Sequence, residues 1–231
     1  IMGGTWITAM RTGAAGAIAA KYLARKDSRV AAFIGAGTQA RTQLMGLLEV
    51  MESLREIRVF DIRLEAERRF IEFFEENYAD RCSILAAGSA EEAVVGADIV
   101  VTTTPSRKPI VMSRWISDGV HLNCIGADAP GKQELDPEIL KKASKIVVDD
   151  FEQAVHGGEV NVPISQGILR REDIYAEIGE IVAGLKNGRE RSEEITVFSS
   201  TGLAIQDAVA ANLAYRRAVE KNVGSCLKLV Y

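Results

Sequence analysis

Histidine and cysteine are scarce in this 231-residue sequence, and each scarcity closes off a chemistry. The two histidines, His121 and His156, match no metal-ligand spacing, so no metal site is expected. Neither has a nucleophile elbow beside it, which excludes a Ser-His-Asp hydrolase. The three cysteines, Cys82, Cys124 and Cys226, form no CxxC pair and no disulfide ladder. Cys82 and Cys124 lie in apolar, strand-like runs and are expected to be buried small hydrophobes. A reducing cytoplasm follows. An excess of positive charge is missing too. Lys and Arg total 28 against 32 Asp and Glu, a net charge of −4, which argues against a nucleic-acid partner. No apolar run is long enough to cross a bilayer, and the first residues lack the charged start and apolar middle of a signal peptide. No membrane partner is expected. There is no Walker-type loop, so ATP is not expected either. Repeats, low-complexity tracts and a mid-chain linker are also absent.

What the chain does have is apolar residues, 47% of the total, enough for a substantial core in one large or two small domains. The most informative stretch is Arg29 to Asp61, RVAAFIGAGTQARTQLMGLLEVMESLREIRVFD. An apolar run, Val30 to Ile34, meets a glycine turn, Gly35-Ala36-Gly37. A helical pattern follows, with Leu44, Leu47, Leu48 and Met51 on one side. A second apolar run, Ile57 to Phe60, ends in Asp61. This is the layout of a dinucleotide-binding βαβ unit. Gly35 permits the sharp turn, Gly37 lets backbone approach a pyrophosphate, and Ala40 lets helix and strand pack closely. The helix N-terminus offers free N–H groups and a positive dipole end to phosphates. Asp61 falls about 20 residues on, where a carboxylate accepts both ribose hydroxyls. It would repel a 2′-phosphate, which favours NAD over NADP, although Arg63 nearby leaves NADP as a second reading.

Upstream, Ile1 to Ile7 reads like the tail of a hairpin, and Thr8 to Arg25 as an alanine-rich helix with Arg11 in its first turn. That cation opposes the helix dipole, so it is either a solvated arginine or one that faces a bound anion. Downstream, Arg63 to Tyr78 is an amphipathic helix and Ser83 to Ala87 a short strand. Ser89 caps a further helix. Ala97 to Thr103, Gly119 to Gly126 and Lys145 to Asp149 are strands. Strands alternating with helices imply a mainly parallel sheet covered on both faces, with ligands at the carboxyl ends of the strands. Beyond Asp150 the rhythm changes. Phe151 to Arg170 looks like loop, Asp173 to Leu185 like a helix closed by Asn187-Gly188, and Glu194 to Phe198 like a strand. Ser200-Thr201-Gly202 opens a long helix through Ala218, and Ser225 to Tyr231 reads as an edge strand.

The chemistry gathers after the fifth strand, in Ile125-Gly126-Ala127-Asp128-Ala129-Pro130-Gly131-Lys132-Gln133-Glu134-Leu135. From the carboxyl end of a central strand, Asp128 would project over the nicotinamide end of a cofactor held at the Gly35 turn. A carboxylate there takes a proton from a substrate amine or activates water. The alternative is an ordinary turn or cap aspartate. Lys132 either neutralises a phosphate or is solvated. The hydroxyls of Thr102, Thr103 and Thr104 can reach ribose or nicotinamide, or are plain strand material.

At these motifs the sequence resembles the ornithine cyclodeaminase and μ-crystallin family, and most of all its archaeal alanine dehydrogenase branch. The resemblance rests on ITAMRTGAAGAIAAKYLAR, FIGAGTQAR, VFDIR, VTTTPSRKPIV, NCIGADAPGKQELD, IVVDDFEQAVHGGEVN and FSSTGLAIQDAVAANLAY, from Ile7 to Tyr215. It implies an α/β fold: a Rossmann-type, doubly wound, mainly parallel sheet, with remnants of a second, substrate and dimerisation domain at both ends. Residues 1–25 would be a remnant of that domain and a connecting helix, 26–200 the NAD-binding domain, and 201–231 a helix and strand returning to the substrate domain. It also places phosphate contacts at Thr38, Gln39 and Ala40, the ribose acid at Asp61 and a hydroxyl contact at Thr102. The backbone run Asn123, Cys124, Ile125 and Gly126 would lie under the nicotinamide, with Asp128 as general base, Lys132 against the cofactor and Ser200 before the last helix. Arg11 matches the arginine that holds the substrate carboxylate, with Thr12 beside the cofactor.

The activity so implied is oxidation of L-alanine to pyruvate and ammonia with NAD, by a protein that is a homodimer at full length. The alternatives are ornithine cyclodeaminase, ketimine reductase and a non-catalytic NAD(H)-binding protein. Two departures stand out. Gly16 stands where many members carry serine. The sequence also starts where the family's first domain is almost over, so that domain's substrate lysine and second arginine are not in it. A chain of this extent is expected to bind NAD and to expose apolar surface where the rest of the domain would pack.

Overall fold

The structure, a computed structural model, describes residues 1–225. Helix α1 (Gly4–Leu23) comes first, followed by β1 (Val30–Ile34), α2 (Thr38–Val50), β2 (Glu56–Phe60), α3 (Leu64–Tyr78), β3 (Ser83–Ala86), α4 (Ala90–Val94), β4 (Ile99–Thr102) and β5 (His121–Cys124). The second part runs α5 (Pro137–Lys142), β6 (Lys145–Val148), α6 (Phe151–Gly157), α7 (Asn161–Ser165), β7 (Ala176–Glu177), α8 (Ile178–Val182), β8 (Thr196–Ser199) and α9 (Ala204–Glu220). The strands form one sheet in the order β3-β2-β1-β4-β5-β8-β6-β7, and every neighbouring pair is parallel. After β1 the chain steps outward to β2 and β3, then returns to place β4 on the other side of β1. That reversal sends the connections after β1 and β4 in opposite directions and opens a crevice between them.

The central strands β4, β5, β6 and β8 are buried along their whole length, because helices cover both faces of the sheet. On one face Phe33 and Ile57 pack under Leu44, Leu47, Phe70 and Phe74 from α2 and α3. On the other, Val100, Leu122 and Val197 pack with Val94, Ile139 and Leu140. A smaller cluster joins Ala19 and Leu23 of α1 to Val147, Ile181 and Phe198.

Small residues let α1 lie directly on α2. A Cβ on Gly13 would sit 2.3 Å from the Thr42 carbonyl oxygen, and one on Gly46 would sit 2.6 Å from that of Gly13. Gly16 has its own reason. A Cβ there would stand 1.9 Å from Gln43 Oε1, while Gln43 Nε2 donates to the Thr12 carbonyl at 2.8 Å. A serine at position 16 would displace that glutamine.

Four expectations need correction. Residues 4–7 are not a hairpin tail but the first turn of α1, after an extended Gly3. Arg11 is therefore well inside the helix, and the dipole argument for it lapses. Residues 151–170 are not loop throughout. The Asp150 side chain accepts from Gln153 N and starts α6, and Pro163 falls in the first turn of α7, where a missing N–H costs no helical bond. The long helix expected over 173–185 is broken up. Tyr175 N donates to the Ile146 carbonyl and β7 pairs with β6, so sheet pairing outweighs the local helical pattern. The helix that remains, α8, is followed by Gly184 at φ +73°, upstream of the expected Asn187-Gly188 cap. Cys124 is buried, but Cys82 is only half-buried, just before β3. The expected edge strand and Cys226 lie outside the described residues.

Helix α9 has no fully buried residue; Ile205, Val209, Leu213, Tyr215 and Val219 are exposed along it, as are Trp6 and Met10 on α1. No helix among the described residues is long and apolar enough to cross a membrane.

Candidate active site

At the end of β1, Gly35 adopts φ +95°, and a Cβ there would lie 2.9 Å from Thr103 Oγ1. Both constraints demand glycine. Gly37 faces open space, with no atom within 4 Å of where a Cβ would go. It also offers α2 no side-chain cap. The N–H groups of Thr38, Gln39 and Ala40 thus have no acceptor among the described residues, at the positive end of a 13-residue helix. Asp61 closes this corner. Its Oδ2 accepts from Ala36 N at 2.9 Å and its Oδ1 from Arg63 N at 2.8 Å.

Beside the turn lies a cleft of about 260 Å³. Thr8, Arg11 and Thr12 of α1 form one side and Gln39 of α2 another; Thr103–Pro105, Ile125, Gly126, Asp128, Lys132 and Ser200–Gly202 complete it. Lys132 Nζ donates to Asp128 Oδ1 at 2.5 Å, and the Asp128 side chain remains 57% exposed. Arg11 is the opposite case, only 13% exposed. Its Nε donates to Asp207 Oδ2 at 3.0 Å and its Nη1 to Gln206 Oε1 at 3.2 Å. Asp207 Oδ1 also accepts from Thr8 Oγ1 at 2.6 Å. The first turn of α9 thus aims the guanidinium, and Nη2 has no acceptor among the described residues. A half-buried, oriented cation facing a lysine-held carboxylate across one cleft can fix an anionic group and move a proton next to it.

Of the residues expected at the site, Arg11, Thr12, Gln39, Thr103, Ile125, Gly126, Asp128, Lys132 and Ser200 line the cleft. Gly35, Gly37, Thr38, Ala40 and Asp61 surround the adjoining turn. Three others do not reach it. Thr102 is fully buried and its hydroxyl donates to Glu134 Oε2 at 2.7 Å. Asn123 is turned inward, with Nδ2 donating to the Gly16 carbonyl and Oδ1 paired with His121 Nε2. Cys124 is buried too, and burial raises its thiol pKa well above the ordinary value. Its carbonyl accepts from Ser200 N. The run after β5 therefore meets the cleft only from Ile125 onward. Thr12 donates to the Thr8 carbonyl, and Ser200 Oγ donates to Asp149 Oδ2 at 3.1 Å.

Sequence reasoning missed the acids behind these walls. Glu134 and Glu159 are fully buried under the β5 side. Asp149 accepts from Ser200 Oγ, Thr201 N, Thr201 Oγ1 and Gly202 N and so shapes the turn before α9. Its place at the end of β6 was a usable signal, since strand carboxyl ends carry sites in such sheets. Gln206 and Asp207 gave none, because they look like any polar pair on a helix.

A profile of the ornithine cyclodeaminase/mu-crystallin family matches residues 1–222. The alanine dehydrogenase of Archaeoglobus fulgidus is 56% identical over 228 residues, which cover 99% of this chain and 69% of the relative. Among solved structures, an archaeal alanine dehydrogenase dimer with bound NAD superposes with a TM-score of 0.91 at 55% identity, covering 98% of this chain and 68% of that one. The Thermococcus litoralis Δ1-pyrroline-2-carboxylate reductase in complex with NADH and L-proline gives 0.92 at 44% identity, covering 97% and 68%. The chain thus spans about two thirds of the length of these proteins.

Proposed function

The chain belongs to the ornithine cyclodeaminase/mu-crystallin family, and from that premise we propose that the whole protein is an NAD-dependent oxidoreductase acting on a small amino acid. L-Alanine is the substrate we favour, with pyruvate and ammonia as products. The sequence shared with the archaeal alanine dehydrogenase supports this choice. The single observation that carries the reading is the shared cleft: oriented Arg11 and the Asp128–Lys132 pair open beside a glycine turn with unpaired amides.

The residues at that turn fit NAD. Gly37 leaves room for a pyrophosphate, and the amides of Thr38, Gln39 and Ala40 lack acceptors. Asp61 stands where a ribose would lie, and its carboxylate disfavours a 2′-phosphate. When bound, NAD supplies the hydride acceptor that amino-acid oxidation requires.

The chain's own residues do the remaining work. Arg11 Nη2 binds the substrate carboxylate and so orients the amino-bearing carbon. Asp128 takes the proton released from the substrate amine and gives it up to solvent; it then takes one from the water that adds to the imine and returns it to the nitrogen that leaves as ammonia. Lys132 holds Asp128 in place through its ion pair. Thr103 and Ser200 line the cleft beside them.

A second reading is reduction of a cyclic imine, and the likeness to the Thermococcus reductase favours it. Cyclisation of ornithine with release of ammonia is a variant of the same chemistry. For the assembly we propose a homodimer, which the archaeal dimer supports. The exposed apolar rows on α1 and α9 fit burial against further protein. A cytoplasmic location is proposed on the free thiols of Cys82 and Cys124.

The test is a product assay on the full-length protein. L-Alanine with NAD should yield NADH, pyruvate and ammonia in equal amounts. Proline from L-ornithine without net NADH, or NADH consumed with a cyclic imine but no reaction of L-alanine, would displace the alanine reading.

A further inference from the structure

Beneath the cleft lies a carboxylate that the proposed reaction does not use. Glu134 ends the loop after β5 and is fully buried. Its Oε1 accepts from Thr104 N at 2.6 Å and Thr104 Oγ1 at 2.8 Å. Its Oε2 accepts from Gly126 N at 2.9 Å and Thr102 Oγ1 at 2.7 Å. One side chain therefore ties the carboxyl end of β4 to that of β5. The residue is itself held in place. Its own N–H donates to Glu159 Oε1 at 3.0 Å, and its carbonyl accepts from Ile110 N at 2.7 Å.

A carboxylate buried without a cation is a costly way to hold two strands together, and apolar packing would do that at least as well. What the carboxylate uniquely supplies is acceptors for two backbone N–H groups just beyond the strand ends. One of them belongs to Gly126. The carbonyl of that same residue accepts from Asp128 N at 3.1 Å and lies 3.5 Å from Lys132 Nζ. Gly126 also has no lateral freedom, since a Cβ there would come within 2.1 Å of the Thr104 carbonyl oxygen. A short chain of contacts thus runs from Glu134 through Gly126 to both Asp128 and Lys132.

We propose that Glu134 is a positioning residue, whose carboxylate fixes Gly126 and Thr104 so that Asp128 and Lys132 face the cleft in working geometry. The inference rests on the reading of Asp128 as the base. Burial raises the Glu134 pKa while its four donors oppose that shift. Burial first, and the charge of Glu134 next, push Glu159 well above the carboxylate range. The four hydrogen bonds donated to the two oxygens of Glu134 favour its ionised form.

The test is Glu134→Gln in the full-length protein, read by hydrogen exchange, NADH affinity and steady-state kinetics. An amide of almost the same shape turns one acceptor oxygen into a donor that faces Thr104 N or Gly126 N. Exchange at Thr104 and Gly126 should rise about tenfold or more while the amides of β1 and α2 stay as in wild type. NADH affinity should hold within about threefold, and kcat should fall about a hundredfold with a shifted acid limb in its pH profile. Wild-type exchange at both amides, or a rise spread evenly over the whole sheet, would overturn the proposal. If that variant does not fold, Thr102→Val removes one donor to Glu134 from behind the cleft. It should still speed exchange at Gly126 and lower kcat, and no change in either would overturn the proposal. The exchange readout needs no substrate. A wild-type protein that turned over no amino acid would count against the reaction alone and leave the clamp to be judged by exchange.

Discussion

On the β1 side of the cleft the chain holds its shape mainly with backbone, and Asp61 adds a side-chain bond to Ala36 N. Gly35 makes the turn, Gly37 leaves space, and the first amides of α2 stay unpaired. On the β5 side side chains do this work. Glu134 and Glu159 hold the loop after β5, and Asp149 holds the turn before α9. The difference follows from what each wall presents. An anion is met best by free N–H groups at a helix end, so that wall must leave its donors unsatisfied. A base and two cations need fixed positions, so the other wall spends its backbone donors on buried acceptors and lets Arg11, Asp128 and Lys132 face the cleft.

Paired glycine substitutions would break this contrast most visibly. Gly126→Ala places a methyl against the Thr104 carbonyl and should lower the melting temperature by several degrees, since overpacking costs about 1–3 kcal/mol. Gly37→Ala meets no atom and should leave the melting temperature unchanged. It should weaken NADH binding at least tenfold, the equivalent of about 1.4 kcal/mol of phosphate contact. Thermal melts and NADH titration of both variants check this; equal loss of stability in the two would erase the distinction.

A smaller effect separates the walls by pH. His121 is buried under the β5 side between Thr196 and Asn123, and burial, the largest influence on it, lowers its pKa from 6.5 to about 3. The unfolded chain binds a proton there below pH 6.5 and the folded chain does not until about 3. Its contribution to stability is therefore full above 6.5 and is lost as pH falls, at about 1.4 kcal/mol per pH unit. Glu134 and Glu159, with raised pKa values, act in the opposite sense, so the wild-type curve alone is ambiguous. The difference between wild type and His121→Gln isolates the histidine. Denaturant midpoints at pH 6.5 and 4.5 should show the wild type losing about 2–3 kcal/mol more than the variant, and parallel curves would contradict the assignment.

The same contrast explains what was legible in the sequence. Strand, glycine turn, helix and terminal acid are local, and a local pattern survives reading one residue at a time. Val30 to Asp61 therefore appears in the structure almost as expected. Asp128, Lys132 and Arg11 were visible through their motifs, and the structure brings them to one cleft. Glu134, Asp149 and Asp207 were not, because their role depends on partners between 8 and 199 residues away or on burial that composition does not show. Asp207 pairs with Thr8 from the far end of the chain, and Asp149 accepts from residues 51 to 53 positions on. The helix expected over 173–185 failed for the same reason, since pairing of β7 with β6 is a contact at long range. Thr102 was placed at the cofactor because its hydroxyl ends a strand; only the fold reveals the carboxylate that takes it.

The claim that one wall holds the cofactor while the other performs the chemistry is tested most directly by measuring NADH affinity and amino-acid turnover side by side in Asp128→Asn. Asparagine keeps the shape and an acceptor for Lys132 but cannot take a proton. The account predicts NADH affinity within about twofold of wild type and turnover reduced by about a hundredfold to ten-thousandfold. Turnover at the wild-type level, or affinity and turnover lost together, would contradict it.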